Sequence, residues 1–145
     1  MLGPFVLVAA ILLSPDDRRP LPRDLTFRVV VNKANPVSSL TRGELSAIFM
    51  RRVRSWPDGT EIRPVDHRAE ARVRERFSWI VHGKSVAYVI RYWQRLIFAG
   101  RGIPPPEVRS GAAVMDLVRA NRGAIGYIDG TTAIAGDLKV IEVRK

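Results

Sequence analysis

Arg68 is the residue of this sequence best suited to hold a ligand. It stands in the stretch Asp66-His67-Arg68-Ala69-Glu70-Ala71-Arg72, between a short apolar run and an amphipathic segment. A guanidinium at that point can clasp an oxyanion with two parallel hydrogen bonds, and the start of a helix beside it supplies free N–H groups and the positive end of a dipole. Glu70 in the first turn favours the helix but opposes an anion. Asn32, Ser38 and Ser39 follow the first strand-like run and are candidate lip residues, because α/β sheets bind ligands beyond the carboxyl ends of their strands. Arg68, Ser38, Ser39 and Asn32 are thus the candidate ligand-binding set. In the plainer reading, Ser38 and Ser39 only make turns and Arg68 pairs with Glu70 or Asp66.

Other chemistries find little to use. Asp66 and His67 are adjacent, so in a strand they point to opposite faces, and His82 lies far along the chain. No metal site is expected. G-x-S-x-G, H-E-x-x-H and convincingly paired carboxylates are all missing, so the chain reads as a non-enzyme without a cofactor. There is no Cys, which removes disulfides, thiolate metal sites and Cys nucleophiles.

The elements that must position these residues follow from pattern. FRVVVNK at 27–33 is β-branched and continuous, as in a strand covered on both faces. Thr41 with Glu44 three residues on makes a capping box, and Leu45, Ile48 and Phe49 form the apolar face of a helix ending near Met50. Trp56-Pro57-Asp58-Gly59 reads as a turn with an aromatic plug, and IRPVD at 62–66 as a short strand with Pro64 at an edge. A helix is predicted over 70–82, stopped by Gly83, and a second over 86–98, capped by Ser85 with Val89, Ile90, Trp93 and Ile97 on one stripe. The loop at 99–109 carries three consecutive prolines. Ser110 opens a last helix with Val114, Leu117 and Val118 inward, and strands are predicted at 124–129 and 138–143. Strands interleaved with helices predict an α/β domain, a mixed sheet flanked by helices.

Two of these stretches carry a resemblance. SLTRGELSAIFMRRVRSWPDG, from Ser39 to Gly59, resembles the "L-s-x-x-e-L-x-x-I-F-x-G-k-x-x-x-W-x-d-G" segment of phosphate-type substrate-binding proteins of ABC transporters. VRANRGAIGYID, from Val118 to Asp129, is similar to that family's "V-x-x-x-p-G-A-I-G-Y-v", with Phe77 and Trp93 where the family has aromatic helix positions. The resemblance implies a single lobe of the type II periplasmic-binding-protein fold. It also implies a non-catalytic binding protein, periplasmic or secreted, for a small oxyanion. Arg68 carries over onto the family's arginine. The family's Ser-Gly-Thr after it does not, since no Ser or Thr occurs between Thr60 and Ser78, and the family's glycine after I-F-x is Arg51. A lone lobe leaves one side of a ligand open to water, so tight binding calls for a protein partner or a second copy supplying the other wall.

Composition adds one alternative and one segment. With 145 residues the chain suits a single domain, and Lys+Arg of 24 against Asp+Glu of 14 gives a formal net charge of +10. The bland source of that charge is an Arg-rich surface, with 20 Arg to 4 Lys. The functional rival is a basic cytoplasmic module gripping nucleic acid nonspecifically: residues 51–76 hold eight Arg against five acids, with Trp56 and Trp79 nearby. Those Trp fall on apolar stripes, as core residues do, and no helix-turn-helix, RNP or zinc pattern occurs. Residues 1–24 read as an apolar segment, a degraded or truncated signal, followed by a Pro- and charge-rich linker, and the domain is expected over 25–145. The apolar run at 5–13 is too short to span a bilayer, and no Lys or Arg precedes it.

Overall fold

A computed structural model describes residues 27–134 and 136–145. The apolar segment and linker at 1–24, and the expected domain start at Leu25, lie outside the described residues. Strands β1 (Phe27–Asn32), β2 (Ser39–Thr41), β3 (Arg63–Pro64), β6 (Ala124–Asp129) and β7 (Leu138–Arg144) form one sheet in the order β2-β7-β1-β6-β3. β1 runs antiparallel to both its neighbours, while β2 is parallel to β7 and β3 parallel to β6. Four strands therefore point one way and β1 alone points the other. Strands β4 (Asp66–His67) and β5 (Glu107–Val108) form a separate parallel pair. The helices are α1 (Arg42–Phe49), α2 (Arg72–Phe77), α3 (Val86–Phe98) and α4 (Gly111–Ala120), and α2 runs on through a π-helical turn at Ser78–His82.

Alternation along the central strands sorts side chains onto two covered faces. Val29 and Val31 of β1, with Ile125 and Tyr127 of β6, face Leu45, Ile48 and Phe49 of α1 and Val73 and Phe77 of α2. Val30 and Ile128 face Val114, Met115 and Val118 of α4. All three valines of β1 are fully buried, each burial worth about 1.5–3 kcal/mol. An aromatic cluster closes the first face: Phe77 stacks on Tyr127 with centroids 3.8 Å apart, and Phe49 meets Phe77 edge-on at 4.7 Å. A smaller core joins Met50 to Val89 and Trp93, seating α3 against the end of α1.

Local signals set the helix ends. Thr41 Oγ1 accepts from Glu44 N at 3.1 Å while Glu44 Oε2 accepts from Thr41 N at 2.8 Å, completing the capping box. Ser85 Oγ and Ser110 Oγ each accept one backbone N–H, from Tyr88 and Ala113, to cap α3 and α4, and Gly83 ends the π turn at φ 63°. The chain leaves α1 through Arg51, whose φ of 55° is the only positive value at a non-glycine among the described residues.

Several expectations change. The helix predicted from residue 70 starts at Arg72, because Arg68–Ala71 first makes a turn closed by Ala71 N to Arg68 O at 3.0 Å. The strand predicted at 62–66 splits at Val65, so that β3 joins the main sheet and β4 leaves to pair with β5. Leu117 and Ile97, expected inward, are exposed, and Met115 takes the inward place on α4. β2 and β5 are too short to show any periodicity in sequence.

Candidate functional site

Strand direction decides where a ligand can sit. The carboxyl ends of β2, β3, β6 and β7 lie at one end of the sheet, marked by the pair Phe27–Asp129. The carboxyl end of β1 lies at the other, marked by Asn32–Leu138. At the four-strand end a cavity of about 480 Å³ is built from four elements. Helix α2 brings Arg72 and Arg76, the start of α4 brings Arg109, Ser110 and Gly111, the end of β6 brings Asp129, Thr131 and Thr132, and His67 of β4 also lines it.

The cavity is cationic. Arg76 Nη2 donates to Asp129 Oδ2 at 3.0 Å, and Asp129 Oδ1 accepts from Thr131 N at 3.0 Å and Thr131 Oγ1 at 2.8 Å. The Thr131 backbone and hydroxyl bonds, with the Arg76 guanidinium, hold the Asp129 carboxyl below its ordinary value. Asp129 is therefore ionised and balances Arg76. Arg72 and Arg109 are exposed, and no carboxylate among the described residues pairs with either. Ser110 satisfies one N–H of α4, and the remaining N–H groups of its first turn add to the positive field at the cavity wall.

A buried network forms the wall behind it. The Tyr127 hydroxyl donates to Asp66 Oδ1, and His67 N donates to the same oxygen at 2.8 Å. Arg74 spans His67 O at 2.7 Å, Glu107 Oε1 at 2.8 Å and Asp66 Oδ2 at 3.6 Å, tying β4 to β5. Burial raises the Asp66 carboxyl, against the pull of Arg74 and the Tyr127 hydroxyl. Burial also pushes the Tyr127 phenol well above its ordinary value, with the Asp66 charge adding to it. His67 Nε2 donates to Tyr127 O at 2.7 Å. These contacts tie β4 to β5, β6 and α2 behind the cavity.

The residues singled out from sequence are not gathered. Arg68 is exposed at the ligand end, with His67 and Ala71 on either side of it in sequence lining the cavity. Ser39 lies at the same end but in edge strand β2, opposite Glu142 and four strand spacings, roughly 19 Å, from β3. Ser38 precedes it, exposed, with its carbonyl accepting from Glu142 N. Asn32 is at the far end, its amide donating to Val118 O at 2.8 Å and Arg119 O at 3.1 Å, where it closes the C-terminus of α4. The arginines that do line the cavity, Arg72, Arg76 and Arg109, were not distinguishable from the other arginines of the sequence. Only their convergence from α2 and α4 marks them.

Trp56 and Trp93 are buried, while Trp79 is 46% exposed, so only one of the three could face a base. Among the described residues no group of three or more His, Asp or Glu could hold a metal ion, and no helix is long and apolar enough to cross a membrane.

No protein-family model matches the sequence, and no curated protein matches it significantly. Solved structures do. An ABC-type phosphate transport receptor from Vibrio cholerae superposes with a TM-score of 0.64 at 23% identity, over 82% of this chain and 46% of that one. A putative phosphate ABC transporter substrate-binding protein with bound phosphate from Clostridium perfringens gives 0.65 at 20%, over 82% and 45%. A possible phosphate-binding protein from Planctomyces limnophilus gives 0.63 at 17%, over 82% and 41%. The chain spans under half the length of each of these structures. It has the fold of part of a phosphate-binding transport receptor, a mixed sheet with helices on both faces.

Proposed function

We propose that the protein is a non-catalytic binding module for a small tetrahedral oxyanion such as phosphate, working outside the cytoplasm, in the periplasm or as a secreted protein. The observation that carries this reading is the cavity at the four-strand end, where Arg72 and Arg109 stand uncompensated beside the first turn of α4. A tetrahedral anion placed there would take bidentate bonds from guanidinium groups and single bonds from the Ser110 and Thr131 hydroxyls. Arg68 would strengthen the field at the rim. Ser38 and Ser39 would meet only a ligand or partner broad enough to cross the strand ends. Phosphate receptors of the same fold support the ligand class. A cavity open on one side binds weakly by itself, and a protein partner or second copy covering it would raise the affinity.

Isothermal titration of the full chain with phosphate at low salt, with sulfate alongside, tests the reading. Saturable heat that falls about tenfold in affinity in Arg109→Gln, with the melting temperature unchanged, is the expected result. No heat from either anion would remove the anion reading and leave a scaffold for protein partners.

A further inference from the structure

A second cavity, of about 250 Å³, lies away from the strand ends, between the exit of α1 and the end of α3. Four arginines line it, Arg51, Arg52, Arg54 and Arg101, and no carboxylate does. None of the four pairs with a carboxylate among the described residues. Their remaining contacts orient them without neutralising them. Arg54 Nε donates to Arg51 O at 3.3 Å, and the Arg52 guanidinium sits over the Tyr92 ring at 5.8 Å. Tyr92 and the buried Trp93 give the cavity an aromatic floor.

Arg51 is the telling residue. It holds φ 55°, the left-handed conformation that glycine adopts freely and a branched or long side chain adopts at a cost. The related pattern quoted above has glycine at this position. Arg51 thus brings a cation to the arginine-lined cavity on a backbone conformation that costs the fold stability.

We propose that this cavity is a second ligand site, for a small organic oxyanion on a flat apolar body of about one ring, an aryl phosphate or its sulfonate analogue. The arginines take the anionic group, and Tyr92 and Trp93 take the ring. The volume of about 250 Å³ accommodates one ring and one tetrahedral group.

Titration of the full chain with phenyl phosphate and with inorganic phosphate, in the wild type, Arg51→Gly and Arg109→Gln, tests this. Glycine suits φ 55°, so Arg51→Gly folds and melts no lower than wild type. The expected result is phenyl phosphate binding about tenfold tighter than inorganic phosphate, weakened at least about tenfold in Arg51→Gly and kept in Arg109→Gln. No phenyl phosphate binding, equal affinity for the two anions, unchanged affinity in Arg51→Gly, or a loss confined to Arg109→Gln would each overturn the proposal. Arg51 lines this cavity and an adjoining one that holds Glu61, while Arg109 lines only the cavity at the strand ends, so the two proposed sites fail or succeed separately.

Discussion

The Trp56 indole Nε1 donates to the carbonyl of Gly123 at 3.0 Å, joining the turn after α1 to the turn that opens β6. Trp56 belongs to the first of the two sequence stretches that resemble phosphate-type binding proteins, and Gly123 to the second. At the same point a Cβ on Gly123 would lie 1.9 Å from the Glu61 carbonyl oxygen. Arg63 N also donates to Gly123 O, at 2.9 Å, so the contact fixes β3 on β6. Gly123→Ala should therefore destabilise by about 3 kcal/mol or more, because backbone must move, while Trp56→Phe should cost about 1–2 kcal/mol for the lost bond. Urea denaturation of the two variants measures both.

Gly126 offers a test of the other face. A Cβ there would come within 2.4 Å of Val114 Cγ1, pressing β6 against α4. Gly126→Ala should cost about 1–3 kcal/mol by overpacking, and Val114→Ala should cost a similar amount by leaving a void. The double variant should be more stable than the sum of the two predicts, since each change relieves the other. Additive losses would show that α4 does not rest on Gly126.

His82 should make stability depend on pH. Burial, with the Arg74 and Arg52 charges, lowers its pKa from the ordinary 6.5 to about 4, and its Nδ1 lies 2.7 Å from Ser46 Oγ. Between those values the unfolded chain binds the proton that the folded chain refuses. The contribution is complete above about pH 6.5 and is lost progressively as pH falls to about 4, amounting to about 3 kcal/mol. His82→Gln should flatten this part of the stability profile, measured by denaturation at a series of pH values.

Arg74 holds a buried carboxylate. Its side chain is 6% exposed and is the only cation among the described residues paired with Asp66. Arg74→Met should cost about 3–5 kcal/mol, because Asp66 must then stay charged without its cation or take up a proton, and His67 O and Glu107 lose their donor. Adding Asp66→Asn should recover part of the loss, read as a rise in melting temperature.

Arg51→Gly should stabilise the fold by about 0.5–1 kcal/mol, since it relieves the one positive φ at a non-glycine among the described residues. An unchanged or lower midpoint in denaturant would show that the arginine carries packing of its own.

Features encoded within a few residues were legible in the sequence. The Thr41–Glu44 capping box, the Ser85 and Ser110 caps and the stop at Gly83 each depend on neighbours in the chain, and all four form. The continuous burial of Val29, Val30 and Val31 was legible for the same reason. Strand direction was not. Asn32 was placed at a ligand lip because it ends a strand, but β1 is the strand that runs against its sheet, and its end faces away from the cavity. Arg72, Arg76 and Arg109 could not be singled out, since helix starts more than thirty residues apart in the chain bring them together. Arg68 stands four positions before Arg72, and α2 starts two residues later than the pattern of apolar residues predicts.

β1 lies between β6 and β7, and its Val29 pairs with both Tyr127 and Ile141. Among the described strands β1 is made first, and both its edges stay bare until β6 and β7 have followed. Contacts so distant along the chain close slowly. The sheet therefore cannot close around β1 until both β6 and β7 have been made. Chains truncated before β7 should be digested rapidly, and a purified chain should refold in a single slow phase that reports the arrival of that last strand.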